Sequence, residues 1–182
     1  MTNALPTNTD LDTTLEVMPG PTDEEKDLEK LKSLIAKIRI CLMTTLGSDR
    51  AFHSRPMSFL EWSEEGTLLF FTKASSSTVE EIEWNTQVSL GFCQPSDNAY
   101  VCIVGEAEVV YDRELVQKLF SPMMKNWFPG GAEDPSLRLL SVIPKTAEYW
   151  DGPSGISLLI SLAKARLTDS PQDLGEHRFF RL

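Results

Sequence analysis

The chain is 182 residues long, 41% hydrophobic and 24% charged, which is the composition of one globular domain rather than of a disordered chain. Its net charge of −10 is concentrated at the start: residues 1–29 carry eight acids against Lys26 alone, whereas residues 30–182 carry 19 acids and 16 bases. There is no basic stripe to neutralise nucleic-acid phosphates or to meet an anionic membrane, and the apolar run at 156–163 is less than half a membrane span.

The first 22 residues are rich in Thr, Asn, Asp and Pro without a hydrophobic period, and predict a flexible acidic tail ahead of a single domain over 23–182. The acidic start lacks the features of a signal or transit peptide. Cys41, Cys93 and Cys102 form no CxxC pair and all fall in apolar runs, which predicts reduced core cysteines in a cytoplasmic protein. From residue 23 the spacing becomes helical. Leu28, Leu31, Leu34, Ile35 and Ile38 form one stripe, and Thr22 with Glu25 makes a capping box.

After Arg39 the pattern changes to short strands and turns. Strands are predicted at 40–46, 51–60 and 67–72, with Pro56 unable to donate a ladder bond. The third is so apolar (Leu68, Leu69, Phe70, Phe71) that both of its faces should be covered. A short helix follows at about 77–85, then strands at 88–92 and 100–111, the latter with a bulge or close backbone approach at Gly105. Residues 113–128 are helical but interrupted by Pro122, and Pro129-Gly130-Gly131 reads as a turn. Residues 137–144 and 147–150 are strand, 154–167 helix and 178–181 a last strand. Antiparallel strands joined by turns, with a helix after the third, predict a small β-barrel with appended helices.

The stretch 53–85 is where chemistry is expected. Arg55 sits mid-strand beside Pro56, and the hydroxyl run Ser75-Ser76-Ser77-Thr78 leads into a helix. Free N–H groups at a helix start, hydroxyls and an arginine fork can cradle a phosphate. The same residues also suit a plain helix cap, Ser77 with Glu80, and a solvated strand arginine. Glu80, Glu81 and Glu83 read as a solvated helix face. His53 and His177 are the only histidines, and no ligand spacing suggests a metal.

Several segments, in order along residues 25–170, resemble one family. They are Met43-Thr44-Thr45, Ser54-Arg55-Pro56-Met57, Phe70-Phe71-Thr72, Tyr100 with Gly105-Glu106-Ala107, Trp127-Phe128-Pro129-Gly130-Gly131, and Asp134-Pro135 with Tyr149-Trp150-Asp151. The resemblance is to the general-stress-protein branch of the pyridoxamine 5′-phosphate oxidase-like split barrels, which bind FMN. It implies a mainly β fold, a six-stranded antiparallel split barrel with flanking helices, and a homodimer with the flavin at its interface.

Carried over by position, the resemblance implies that Arg55 holds the flavin phosphate, that the backbone at Met57 and Ser58 lines the ring, and that Pro56 belongs to the same cofactor site. Phe71 and Thr72 would lie against the flavin, and Ser77 and Thr78 would close on the phosphate. Trp127, with Trp150 the next candidate, would reach in from the partner chain. The family's usual lysine is replaced by Thr78, which removes one cation from the phosphate site unless Lys73 substitutes. FMN is the implied cofactor, with FAD the alternative. The implied function is an FMN-dependent oxidoreductase of the stress response with a small-molecule electron donor. The alternatives are a flavin-binding or interaction module without turnover, or a barrel that has lost its cofactor. The C-terminal residues 177–182 do not reproduce the substrate-binding pattern of a true pyridoxamine phosphate oxidase. No nucleic-acid or membrane partner is expected.

Overall fold

The computed structural model describes residues 22–153 and 175–182. The helix expected at 154–167, and all but the last residue of the expected tail, lie outside them. The described elements are α1 (Asp23–Ile38), β1 (Ile40–Leu46), β2 (Phe52–Trp62), β3 (Leu68–Lys73), α2 (Ser77–Trp84), β4 (Gln87–Gln94), β5 (Ala99–Val110), α3 (Arg113–Leu119), β6 (Leu137–Asp151) and β7 (Glu176–Arg181). Short 3-10 turns occupy Pro95–Asp97, Pro122–Asn126 and Gly131–Glu133. Among the described residues no helix is long and apolar enough to cross a membrane.

All the strand pairings are antiparallel. The order β3-β2-β1-β4-β5-β6 closes through a β3–β6 ladder into a six-stranded barrel, with β7 added along the far half of β6. Closure removes the exposed edges that an open sheet of this size would present. Gly105 allows the bulge expected there: the β5–β6 register shifts between Val104 and Gly105, and a Cβ at Gly105 would come within 2.4 Å of the Ile143 carbonyl oxygen.

Two apolar clusters hold the fold. The barrel interior takes alternate residues from every strand of the closed sheet, among them Met43, Phe59, Phe70, Leu90, Ile103 and Leu140, with Leu31 and Ile35 of α1 covering it. A second cluster lies outside the barrel wall, where Val116 and Phe128 cover Leu69, Leu137 and Leu139. The two faces of β3 therefore serve both clusters, Leu68 and Phe70 inward and Leu69 and Phe71 outward. That division explains the uninterrupted apolar run of its sequence.

The helix ends follow cap chemistry. Glu25 N–H donates to Thr22 Oγ1 at 3.2 Å, and Thr22 N–H donates to Glu25 Oε2 at 2.6 Å, completing the expected box. At α2 the cap is Ser76 rather than Ser77, and it makes no side-chain cap bond, so the Ser77–Glu80 box does not form. The Ser76 hydroxyl instead lies 2.9 Å from Thr72 Oγ1. The region expected as one interrupted helix is α3, ending at Leu119, followed by the 3-10 turn that starts at Pro122. The cysteines differ from expectation as well. Cys41 is buried, and burial pushes its thiol up to about 12, but Cys93 is exposed and Cys102 only half-buried. Cys93 falls on the outward phase of β4, a position the apolar neighbours in sequence do not reveal.

Candidate functional site

The barrel splits between β2 and β3. Their ladder contains Phe59↔Phe70 and Trp62↔Leu68, with an irregularity between the two. Beyond Phe59, toward its N-terminal end, β2 continues against β1. Beyond Phe70, toward its C-terminal end, β3 continues against β6. The two strands diverge and a cleft opens between them. Pro56 fits this edge. Phe59 N–H donates to Arg39 O at 2.8 Å, on the β1 side. By the alternation of an antiparallel strand the Pro56 nitrogen then faces away from β1, so the missing N–H costs no ladder bond.

The cleft holds a cavity of about 600 Å³, within the range of small-molecule and cofactor sites. Its floor is Pro56–Leu60 of β2 and Phe71–Lys73 of β3. Its wall comes from the segment after α3, through Ser121, Met123, Met124, Trp127 and Phe128. That segment is anchored by the second cluster, where the Phe71 ring meets Phe128 at 6.2 Å and Phe120 at 6.3 Å between centroids. The cavity wall is thus set by the packing that covers β3.

The lining has a consistent chemistry. Its cations are Arg39 and Lys73, its hydroxyls are Ser58, Thr72, Ser76 and Ser121, and it includes no carboxylate among the described residues. Arg39 closes α1 in the left-handed conformation (φ 62°), and its carbonyl is fixed by Phe59. Neither cation has an ion-pair partner within 4 Å among the described residues. Lys73 does act at longer range. The Asp134 carboxyl is held below its usual range, first by the side-chain and backbone hydrogen bonds of Ser136 and in smaller part by the Lys73 charge. A cavity of cations and hydroxyls with a methionine and aromatic wall suits a flat ligand that carries negative charge.

Arg55 does not line the cavity. Its Nη2 donates to Glu81 Oε2 at 2.6 Å and its Nη1 to Thr45 Oγ1 at 2.6 Å. Glu81, expected on a solvated face, has a side chain only 8% exposed. It also accepts from the Thr45 hydroxyl, and its Oε1 lies 2.6 Å from His53 Nδ1. Burial alone would raise its carboxyl. The hydrogen bonds from Thr45, His53 and Arg55 and the Arg55 charge outweigh that and hold it below the ordinary value.

The residues singled out from sequence divide into two groups. Pro56, Met57, Ser58, Phe71, Thr72 and Trp127 all border the cavity, and Trp127 is itself 60% exposed. Arg55, Ser77 and Thr78 do not: Arg55 is held by Glu81, Ser77 is exposed, and Thr78 is buried on the inner side of α2. Trp150 stacks on His177 at 4.9 Å and stands apart from the cleft. Ser76 belongs to the hydroxyl run and Phe128 to a family motif, but sequence reasoning missed Arg39, Phe59, Leu60, Ser121 and the pair Met123-Met124. The methionine pair beside Pro122 and Trp127 was the available signal, since adjacent methionines near an aromatic suit an adaptable binding wall.

Residues 26–173 match the family described as pyridoxamine 5′-phosphate oxidase like. Over 98 residues the chain is 37% identical to general stress protein 26 of Bacillus subtilis, an alignment covering 51% of this chain and 66% of that protein. Among solved structures, a protein described as a general stress protein 26 from Jannaschia sp. CCS1 superposes with a TM-score of 0.71 at 23% identity, covering 86% of this chain and 99% of that one. The general stress FMN/FAD binding protein of Xanthomonas citri superposes with a TM-score of 0.60 at 22% identity, covering 70% and 92% respectively.

Proposed function

Because the chain belongs to the pyridoxamine 5′-phosphate oxidase-like family, we propose that it binds FMN in the cleft between β2 and β3 and uses it as a flavin-dependent oxidoreductase. The observation that carries this reading is the cleft itself, a cavity of about 600 Å³ lined by two cations, four hydroxyls and an apolar wall. The FMN/FAD binding of the Xanthomonas citri protein supports the ligand class. The likeness to general stress protein 26 supports a role in the stress response.

The residues present fit a flavin nucleotide. Phe71, Met123, Met124 and Trp127 offer apolar surface to the faces of a fused ring and exclude water from it. Ser58, Thr72, Ser76 and Ser121 offer hydroxyls to its polar edge and ribityl chain, and Lys73 and Arg39 offer positive charge to its phosphate. The bound flavin supplies the redox chemistry, and the protein supplies binding and orientation. Among the described residues the lining includes no histidine, carboxylate or tyrosine, and its one lysine, Lys73, is given to the phosphate, so these residues offer the ring no other acid or base. That feature also favours a second reading, a flavin-binding stress module without turnover.

The reading includes a homodimer. Ile40 and Leu42 are 57% and 52% exposed on the outer face of β1, in register with Ser58 and Pro56 at the rim of the cleft. A second copy laid on this face would cover the apolar side chains and adjoin the cavity.

Visible absorption of the purified protein, with titration by FMN and FAD, tests the binding. Saturable binding with the two bands of an oxidised flavin is expected, and no binding of either refutes it. Bleaching of those bands by NADH or NADPH under anaerobic conditions selects the oxidoreductase; stable yellow protein selects the module.

A further inference from the structure

A second cavity, of about 180 Å³, shares no lining residue with the cleft. It lies where the end of β5, the start of α3 and the start of β6 meet. Its base is apolar, with Val116 and Leu137 buried in the cluster that covers β3. Its charged groups are Arg113, Arg138 and Asp112. Asp112 is occupied by the helix that it caps, because Leu115 N–H donates to its Oδ1 at 2.9 Å. The two arginines are held by main-chain oxygens of one segment. Arg113 Nη1 donates to Asp134 O at 3.2 Å and to Ala132 O at 3.5 Å, and Arg138 Nη1 donates to Pro135 O at 2.8 Å and to Leu137 O at 2.9 Å. The Arg138 guanidinium also lies over the Tyr111 ring, 5.1 Å from its centroid. Carbonyl oxygens orient a guanidinium without cancelling its charge. Among the described residues neither arginine has a carboxylate within 4 Å, and the donors on Nη2 and Nε of both have no acceptor.

We propose that the pocket between Arg113 and Arg138 is a second binding site, separate from the cleft, and that it takes a phosphate group. Two guanidinium groups on one small cavity repel each other, and an anion between them reverses that term. Whole small molecules occupy cavities upward of about 300 Å³, so this one has room for a single head group. The two oxygens of a carboxylate fill one arginine fork, whereas a phosphate has oxygens for both. Tyr111 is 72% exposed and offers an aromatic surface to an organic group carried on that phosphate. The site does not depend on the flavin reading.

Isothermal titration calorimetry with inorganic phosphate and with phenyl phosphate, at low and constant ionic strength, tests this. The unmodified protein should bind both saturably. Arg113→Gln should weaken both about tenfold, the loss of one charge-assisted contact, and Arg138→Gln should do the same. Circular dichroism checks that each variant is folded; Arg113 is exposed, so its variant carries the test if Arg138→Gln does not fold. Phenyl phosphate bound more tightly than phosphate, with the difference lost in Tyr111→Ala, assigns the site to phosphate monoesters. Equal binding of the two assigns it to free phosphate. Absence of saturable binding to the unmodified protein would overturn the inference, and that arm needs no variant. Phosphate affinity unchanged in folded Arg113→Gln would place the anion elsewhere, the cleft included, and would also overturn it. The same variant should leave an FMN titration unchanged; a tenfold loss there would make the pocket part of the flavin site and refute a separate one. A protein that binds phosphate here but no flavin would refute the flavin reading alone.

Discussion

Glu81 carries a charge into the barrel wall, so its protonation is linked to folding. Its carboxyl sits below the ordinary value of 4.5 in the folded chain because hydrogen bonds and the Arg55 charge outweigh the cost of burial. A lowered folded pKa adds stability that is fully present above the unfolded value and is lost as pH falls through the folded one. Urea midpoints at neutral pH should therefore fall on Glu81→Gln substitution, and the gap between the two proteins should close as the pH is lowered below 4.5. A gap that stays constant with pH would refute the linkage. Gly105 makes a different residue-scale demand. A methyl group there meets the Ile143 carbonyl oxygen at 2.4 Å, on backbone that cannot swing aside. Gly105→Ala should cost about 1–3 kcal/mol in urea denaturation, the range for forcing atoms into filled space. The glycine was legible as a bulge, because a glycine inside a long strand has few other uses. The partner of Arg55 was not. Three glutamates in one short helix look alike until the helix phase is fixed, and only Glu81 shares the face of Thr78, Val79 and Ile82.

At the scale of elements, periodicity carried most of the information. The stripe of α1 and the alternation of β4 and β5 follow directly from which positions are buried. The apolar run of β3 implies cover on both faces, and the two clusters supply it. What periodicity could not give was the split. Nothing in β2 or β3 alone says where their ladder ends, because that depends on β3 turning to β6. The cavity-lining cations at the ends of α1 and β3 were hidden for the same reason, since the cleft is assembled from element ends far apart in sequence. Helix α1 joins these scales. Leu31 and Ile35 are fully buried against the barrel, Tyr149 donates to Asp27 at 2.9 Å, and the helix ends at Arg39 on the cleft. Leu31→Ala should therefore destabilise the protein by about 2–5 kcal/mol, measured by urea unfolding, the usual cost of a buried leucine. A loss below 1 kcal/mol, roughly that of a surface change, would mean that α1 is not part of the cooperative core.

For the whole molecule, closure of the barrel decides where an apolar surface can be. Closure pairs every barrel strand on both sides except at the split between β2 and β3, so exposed apolar side chains on β1 call for a face-to-face explanation. Ile40 and Leu42 are such residues. They alternate with the buried Cys41 and Met43, and Leu42 stands between Pro56 on β2 and Gly91 on β4, where small neighbours leave it prominent. The proposed dimer covers this face, and the two functions of the surface are then coupled, because Pro56 and Ser58 belong both to the face and to the cavity. A charge placed there should act on assembly before it acts on folding. Leu42→Glu puts a carboxylate on an outward position that the monomer leaves in water, so the thermal midpoint of the monomeric barrel should change little. Sedimentation velocity should show the dimer lost, since an unpaired charge buried in an interface costs several kcal/mol. Flavin affinity should fall with it, because the partner no longer closes the cleft. A variant that remains dimeric, or a monomer that binds flavin as tightly as the unmodified protein, would separate the surface from the site and refute the shared interface.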